Sequence, residues 1–206
     1  MKKLKICPND YEHEAWRNNR LVLGIDEAGR GPLAGPLTVA GVVFPVGYEN
    51  PDIYDSKALS EKKRDELYET IMADALFFAI KIVSEADIDR YNIYRADQLA
   101  MAEIAADLQA DLILTDAMPL ELDTEVIPLV KGDQKSISIA AGSILAKVTR
   151  DRIMLAYDRI YPQYGFARNK GYPTKEHLQA IEQYGITPIH RRSFGPVAVH
   201  QEQLDI

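Results

Sequence analysis

The sequence predicts a mixed α/β fold: a five-stranded mixed sheet flanked by helices, followed by a helical C-terminal region. Three observations carry this. Short apolar, β-branched runs recur at residues 21–25, 37–44, 76–83, 112–115 and 126–130, each bounded by Gly, Pro or acidic residues. Helical periodicity fills gaps between the later runs. Beyond the fifth run the pattern is purely helical.

The first two runs are joined by Gly-Arg-Gly-Pro-Leu-Ala-Gly-Pro, residues 29–36, whose tight turns favour an antiparallel pair, so the sheet is mixed rather than wholly parallel. The longest irregular stretch, 45–57, is punctuated by Gly47, Asn50 and Pro51. Ser60 caps a charged helix reaching Ala73, and residues 92–108 carry Leu99, Ile104 and Leu108 amid alanines, the pattern of a helix laid against a sheet. Two more helices follow at 139–160 and 174–184, with Thr174 as N-cap and Gly185 as stop. No repeat, low-complexity tract or Ser/Gly linker interrupts the chain, so residues 1–206 read as one domain, with 1–20 as an N-terminal extension and about 139–196 as its helical, substrate-facing part.

Composition narrows the class. A chain of 206 residues, 47% hydrophobic, can bury one substantial core. It has no run of eighteen apolar residues, and its first residues turn polar and acidic before a signal core could form, so a cytoplasmic protein without a membrane association is expected. Cys7 is the only cysteine, which excludes an intramolecular disulfide and offers neither a zinc spacing nor a redox pair. The net charge of -7 argues against nucleic acid when taken alone. Its distribution argues otherwise: residues 131–195 hold 11 basic and 5 acidic side chains, the rest 13 and 26, so one segment is +6 and the remainder -13. Such a bias marks either a phosphate-facing surface or, more commonly, a solvated helix face.

The acids carry the chemistry. The first run ends at Asp26, followed by Glu27; the fourth ends at Asp116; the fifth is followed within three residues by Asp133. Singly, each is an ordinary turn or capping residue. Together they recur where ligands bind in open α/β sheets, beyond the carboxyl ends of parallel strands. Four carboxylates so gathered repel one another and retain a proton unless divalent cations neutralise them. Oxygen-only donors suit Mg²⁺ or Mn²⁺, and the lack of a His or Cys cluster beside them argues against zinc. Two such ions could activate water, clamp a phosphate and stabilise a departing oxygen, which is phosphodiester hydrolysis.

Residues 24–36, G-I-D-E-A-G-R-G-P-L-A-G-P, closely resemble the signature of the type 2 ribonuclease H family, ribonuclease HII. Further matches follow in order: D-S-K at 55–57, T-D-A at 115–117, K-G-D at 131–133, A-A-G-S-I-L-A-K-V at 140–148, K-G-Y at 170–172 and H-R-R-S-F at 190–194. They span about 21–196. One departure is Gly142, where alanine is expected; glycine inside a helix costs about 1 kcal/mol relative to alanine.

The resemblance implies the ribonuclease H fold, with Asp26, Glu27, Asp116 and Asp133 as metal-binding and catalytic acids. It also implies a substrate: an RNA–DNA hybrid, or a ribonucleotide within duplex DNA, cut on its 5′ side to leave a 3′-hydroxyl and a 5′-phosphate. Telling RNA from DNA requires contact with the 2′-hydroxyl. Gly29 and Gly31 leave room for it, and by resemblance the Gly29-Arg30-Gly31 backbone holds the ribose while Tyr172 senses the RNA-to-DNA junction; the alternatives are a plain turn and ordinary core packing. Ser56, Lys57, Lys147 and Lys170 are the phosphate contacts to expect, Lys57 and Lys147 foremost. Ser143 and Lys147 stand four apart, not the three a Ser-Lys acyl enzyme uses, so that chemistry is discarded. His177 and His190 lack a neighbouring acid and are read as structural.

Two other functions stay open at this level. One is a different two-metal phosphohydrolase acting on a nucleotide or small ester; the other is a non-catalytic hybrid-binding module whose acids are merely caps. A replication clamp or a polymerase is the class of recruiting partner left open, and a monomer is the simplest assembly.

Overall fold

The five apolar runs become the strands of one sheet: β1 (Val22–Ala28), β2 (Leu37–Val43), β3 (Phe77–Val83), β4 (Leu112–Asp116) and β5 (Glu125–Leu129). The structure is a computed structural model and describes residues 7–204. Spatial order is β3-β2-β1-β4-β5. β2 pairs antiparallel with both β1 and β3, while β1, β4 and β5 run parallel, so these three share one carboxyl end.

Strand alternation divides the core into two layers. Val22 joins a layer with α1 (Asp10–Arg17), α2 (Glu61–Asp74) and α5 (Ile137–Ile160), where Trp16, Leu67, Ile71, Ile139 and Ile144 pack against Val42 and Leu114. Leu23 and Ile25 face the other layer, with α3 (Glu85–Tyr91) and α4 (Ile93–Leu108), where Ile88, Met101 and Ile104 pack against Val39 and Ile113. A third apolar cluster joins α6 (Phe166–Asn169), α7 (Lys175–Tyr184) and α8 (Gly195–Leu204) to Leu33, Ala34 and Met154.

Close backbone contact sets the position of α5. A Cβ at Gly24 would stand 2.2 Å from the Ile139 nitrogen, and one at Gly142 2.8 Å from the Ala40 carbonyl oxygen and 3.2 Å from the Asp26 nitrogen. These neighbours are backbone rather than the ends of flexible side chains, so alanine at 142 would need α5 or β1 to shift, a packing effect beyond the helix weakening expected from sequence.

Ser60 and Thr174 cap as expected, accepting from the amides of Lys63 at 3.3 Å and His177 at 3.2 Å. Gly185, at φ 79°, ends α7. α5 starts at Ile137, two residues ahead of the start that periodicity suggests, capped by Ser136, which accepts from the Ile139 amide at 3.1 Å. Helices α1, α3, α6 and α8 were not expected. The first converts part of the apparent extension into a packed element: Trp16 is buried, and the buried Glu12 carboxylate accepts from the Ser136 hydroxyl at 2.5 Å and the Ser138 amide at 3.1 Å. An anion there is favoured by the dipole at the head of α5. Asn92, at φ 62°, breaks α3 from α4 and caps the latter through the Arg95 amide. Among the described residues no helix is long and apolar enough to cross a membrane.

Candidate active site

β1 continues past its apolar run to Ala28, so Asp26 and Glu27 sit within the strand rather than beyond its end, paired with Ala40 and Val39 of β2. Alternation turns Asp26 toward α5 and Glu27 toward α4. Asp116 is the last residue of β4, and its carboxylate accepts from the Gly132 amide at 2.8 Å. That bond ties β4 to the short turn Gly132–Gln134, which carries Asp133. The acids therefore come from the shared carboxyl end of the parallel strands.

Asp26, Glu27 and Asp116 line one cavity of about 360 Å³ with Gly29, Arg30, Gly31, Ser56, Lys57, Lys147 and Tyr172. Asp133 stands behind Lys57, its carboxylate 3.6 Å from the ammonium. Burial pulls the Lys57 pKa down, but Asp133, Asp26, Asp55 and Asp116 together push it above its ordinary value. One cation thus senses three of the four predicted acids.

These acids crowd one another. Burial, then the charges of Glu27 and Asp116, hold the Asp26 carboxyl well above the usual carboxylate range. Glu27 is pushed up to about 7 by burial and then by Asp97 of α4, with Arg30 opposing. Asp133 is raised by burial and Asp55 against the pull of Lys57. Glu27 Oε2 is buried without a hydrogen-bond partner, and so are both carboxylate oxygens of Asp97. Among the described residues no three His, Cys, Asp or Glu side chains already stand close enough to form a cage for a metal. The arrangement is an anionic cavity with unsatisfied oxygens, which favours a cation or a proton.

The predicted substrate contacts divide. Tyr172 is 44% exposed at the cavity, which excludes core packing. The Arg30 guanidinium folds back to within 3.6 Å of Asp97 and 3.9 Å of Glu27. Ser56 shares a buried 2.9 Å hydrogen bond with Ser143. Lys147 bonds Asp151 at 2.7 Å rather than Ser143, consistent with discarding a Ser-Lys pair. Lys170 is the exception: its ammonium donates to the Ala167 carbonyl at 2.6 Å and the residue does not line the cavity, because its side chain turns along α6. His177 and His190 form a buried 3.1 Å pair beside Tyr164 and Phe166, a structural placement. Cys7 is buried against the Asp133 carbonyl, and burial followed by Glu12 and Asp133 pushes its thiol up to about 12, so it stays protonated and inert.

Sequence reasoning missed Ser143, Asp97, Arg150 and Arg191. Ser143 lies inside a matched stretch and lines the cavity, bonded to Ser56. Asp97 had a readable signal, an acid three and four residues before Ala100 and Met101 on the buried face of α4. Arg150 lines the cavity and, like Arg191, is buried, a placement that charge alone argues against.

Comparison with known proteins gives the family and the fold. The family profile described as Ribonuclease HII matches residues 23–197. Ribonuclease HII of Bacillus subtilis (strain 168) is 54% identical over 201 residues, covering 96% of this chain and 78% of its own. Among solved structures, ribonuclease H2 from Pyrococcus horikoshii OT3 superposes with a TM-score of 0.74 at 26% identity, covering 90% of this chain and 99% of its own. The PCNA:RNase HII complex from Archaeoglobus fulgidus gives 0.73 at 26% identity, over 85% and 95%. The sheet order and helical layers are those of the ribonuclease H-like fold. The chain belongs to the ribonuclease HII family and is an endoribonuclease of the ribonuclease H type.

Proposed function

We propose that this protein incises duplex DNA on the 5′ side of an embedded ribonucleotide and cuts the RNA strand of RNA–DNA hybrids, leaving a 3′-hydroxyl and a 5′-phosphate, with Mg²⁺ or Mn²⁺ as cofactor. One observation carries the reading: acids from separate parallel strands line the same cavity as the 29–31 loop and Tyr172.

The donors fit a hard divalent cation. They are all oxygen, buried at Asp26 and partly buried at Glu27 and Asp116, and mutually repelling, and Glu27 Oε2 has no hydrogen-bond partner. Asp26, Glu27 and Asp116 would hold the metal, with Asp133 completing the set across Lys57. When bound in pairs such ions lower the pKa of water and neutralise charge on the reacting phosphate. The remaining roles fall to the chain. Lys57 and Lys147 offer positive charge to the phosphates flanking the scissile bond. The Gly29-Arg30-Gly31 backbone meets the ribose, and the Tyr172 ring packs against the neighbouring sugar. We read residues 1–206 as one catalytic domain in which about 139–196 face the substrate. A sliding clamp is the partner class to test, since the Archaeoglobus fulgidus relative was solved with PCNA.

The test is incubation with Mg²⁺ or Mn²⁺ and two duplexes, one all DNA and one carrying a single ribonucleotide. The expected result is a single cut 5′ of the ribonucleotide and none in the control. A small-ester phosphohydrolase would leave both intact while hydrolysing nucleotides, and a binding module would bind without cutting.

A further inference from the structure

We infer that Arg191, a fully buried residue outside the acid cluster, is a positioning residue for ribose recognition: it fixes the peptide planes at 29–31 so that two backbone amides face the cavity. The inference rests on the function proposed above and adds a residue and a physical cause to it.

The geometry is specific. Arg191 Nη2 donates to the Gly29 carbonyl at 2.7 Å, Nη1 to the Arg30 carbonyl at 3.1 Å and Nε to the Gly35 carbonyl at 2.9 Å. Among the described residues there are no cis peptide bonds, and in a trans peptide the C=O and the following N–H point in opposite directions. Gly29 and Arg30 carbonyls held against a guanidinium beneath the loop therefore turn the amides of Arg30 and Gly31 the other way, toward the cavity that residues 29–31 line. Cationic donors behind each carbonyl also polarise the amides in front, which strengthens them as donors to an oxygen.

The space in front suits a sugar. A Cβ on Gly31 would meet only the Tyr172 ring, at 3.4 Å, so the Gly31 backbone stands beside the aromatic ring with no other atom crowding it on that side. Gly29 has φ 106°, and a Cβ there would stand 2.2 Å from Arg150 Nε, so the backbone at 29 packs directly on the Arg150 side chain and only glycine fits. Arg150 extends the same scaffold, donating to the carbonyls of Ala34, Pro36 and Lys170 at 3.0, 2.9 and 2.8 Å, but it holds neither peptide at 29–31.

Arg191→Lys keeps the charge and loses the planar three-way fork, so the loop carbonyls lose their common anchor. With the folded variant confirmed by near-ultraviolet circular dichroism, kcat/KM on a duplex with one ribonucleotide should fall about 100-fold, the scale of a displacement of order 1 Å. Affinity for the all-DNA duplex should be unchanged. A variant that cuts at the wild-type rate, or that loses all-DNA binding by the same factor, overturns the assignment. Wild-type protein supplies a measurement independent of whether the variant folds. In metal-free buffer the amide resonances of Arg30 and Gly31 should shift with the ribonucleotide duplex and less with the all-DNA duplex; resonances that move equally or not at all overturn the inference. Failure of wild-type protein to cut the ribonucleotide duplex with Mg²⁺ or Mn²⁺ would instead sink the proposed function.

Discussion

Two sets of buried charge meet around the cavity and are handled in opposite ways. Below the 29–36 loop, Arg150 and Arg191 make six hydrogen bonds, all to backbone carbonyls. Within and beside the cavity, Glu27 and Asp97 retain buried oxygens with no hydrogen-bond partner, and Asp26 is raised by burial and then by the charges of Glu27 and Asp116. A charge whose desolvation is already offset by fixed dipoles belongs to the scaffold; one left unsatisfied marks where a ligand must supply the missing interaction. The contrast assigns recognition geometry to the arginines and chemistry to the acids.

The contrast breaks first at the acids. Asp26→Asn or Asp116→Asn should cut turnover by on the order of a thousand-fold or more while leaving the metal-free protein folded, because each removes a charged oxygen at nearly constant volume. Single-turnover incision and thermal melting check both halves. Near-normal cutting would mean that these carboxylates are only caps. At the arginines the opposite is expected: Arg150→Met should cost about 4 kcal/mol of stability, since three carbonyls are left buried and unpaired. Denaturant unfolding reads it, and a loss near zero would mean that the cage is not structural.

The His177–His190 pair extends the comparison to a buried base held neutral. Burial and then His177 push His190 down to about 4, below its usual 6.5. The unfolded chain therefore takes up a proton first, so this contribution is complete above pH 6.5 and is lost as pH falls toward 4, by about 3 kcal/mol in total. Subtracting the profile of His190→Asn isolates the term from the acids, whose slopes run the other way; parallel profiles would contradict it. Asp97 gives the smallest effect. Burial pushes it up to about 7 against the pull of Arg30, so the wild type loses stability as pH rises between 3.8 and 7. Asp97→Asn should be more stable by about 2 kcal/mol above that range, a figure reduced because Arg30 loses its partner, with the gain fading in acid. A variant less stable at high pH would show Asp97 to be satisfied after all.

Much of this was legible in residues alone. The strands, the Ser60 and Thr174 caps and the meeting of Asp26, Glu27 and Asp116 in one cavity follow from periodicity, capping residues and acids recurring near strand ends, although Asp26 and Glu27 lie inside β1 and Asp133 stands behind Lys57. What was hidden shares one cause, the burial of polar groups. Residues 131–195 read as a basic surface, yet Arg150 and Arg191 point inward, Lys147 is paired with Asp151 and Lys170 with a backbone carbonyl. Asp97 is fully buried, a placement that its charge alone argues against. Helix α1 is short and polar, and the burial of Glu12, Ala15 and Trp16 shows why it packs. Gly142 looked like a weakness until the approach of α5 to β1 showed that a Cβ has no room.

Calorimetric titration of Mn²⁺ into metal-free protein, in two buffers of different ionisation enthalpy at about pH 6.5, tests the central claim most directly, because carboxylates raised toward neutrality must shed protons to bind a cation. The account predicts binding with net proton release, diminished in Asp26→Asn. Binding with no buffer dependence, or no binding at all, would contradict it: the acids would then be either already satisfied or not a metal site.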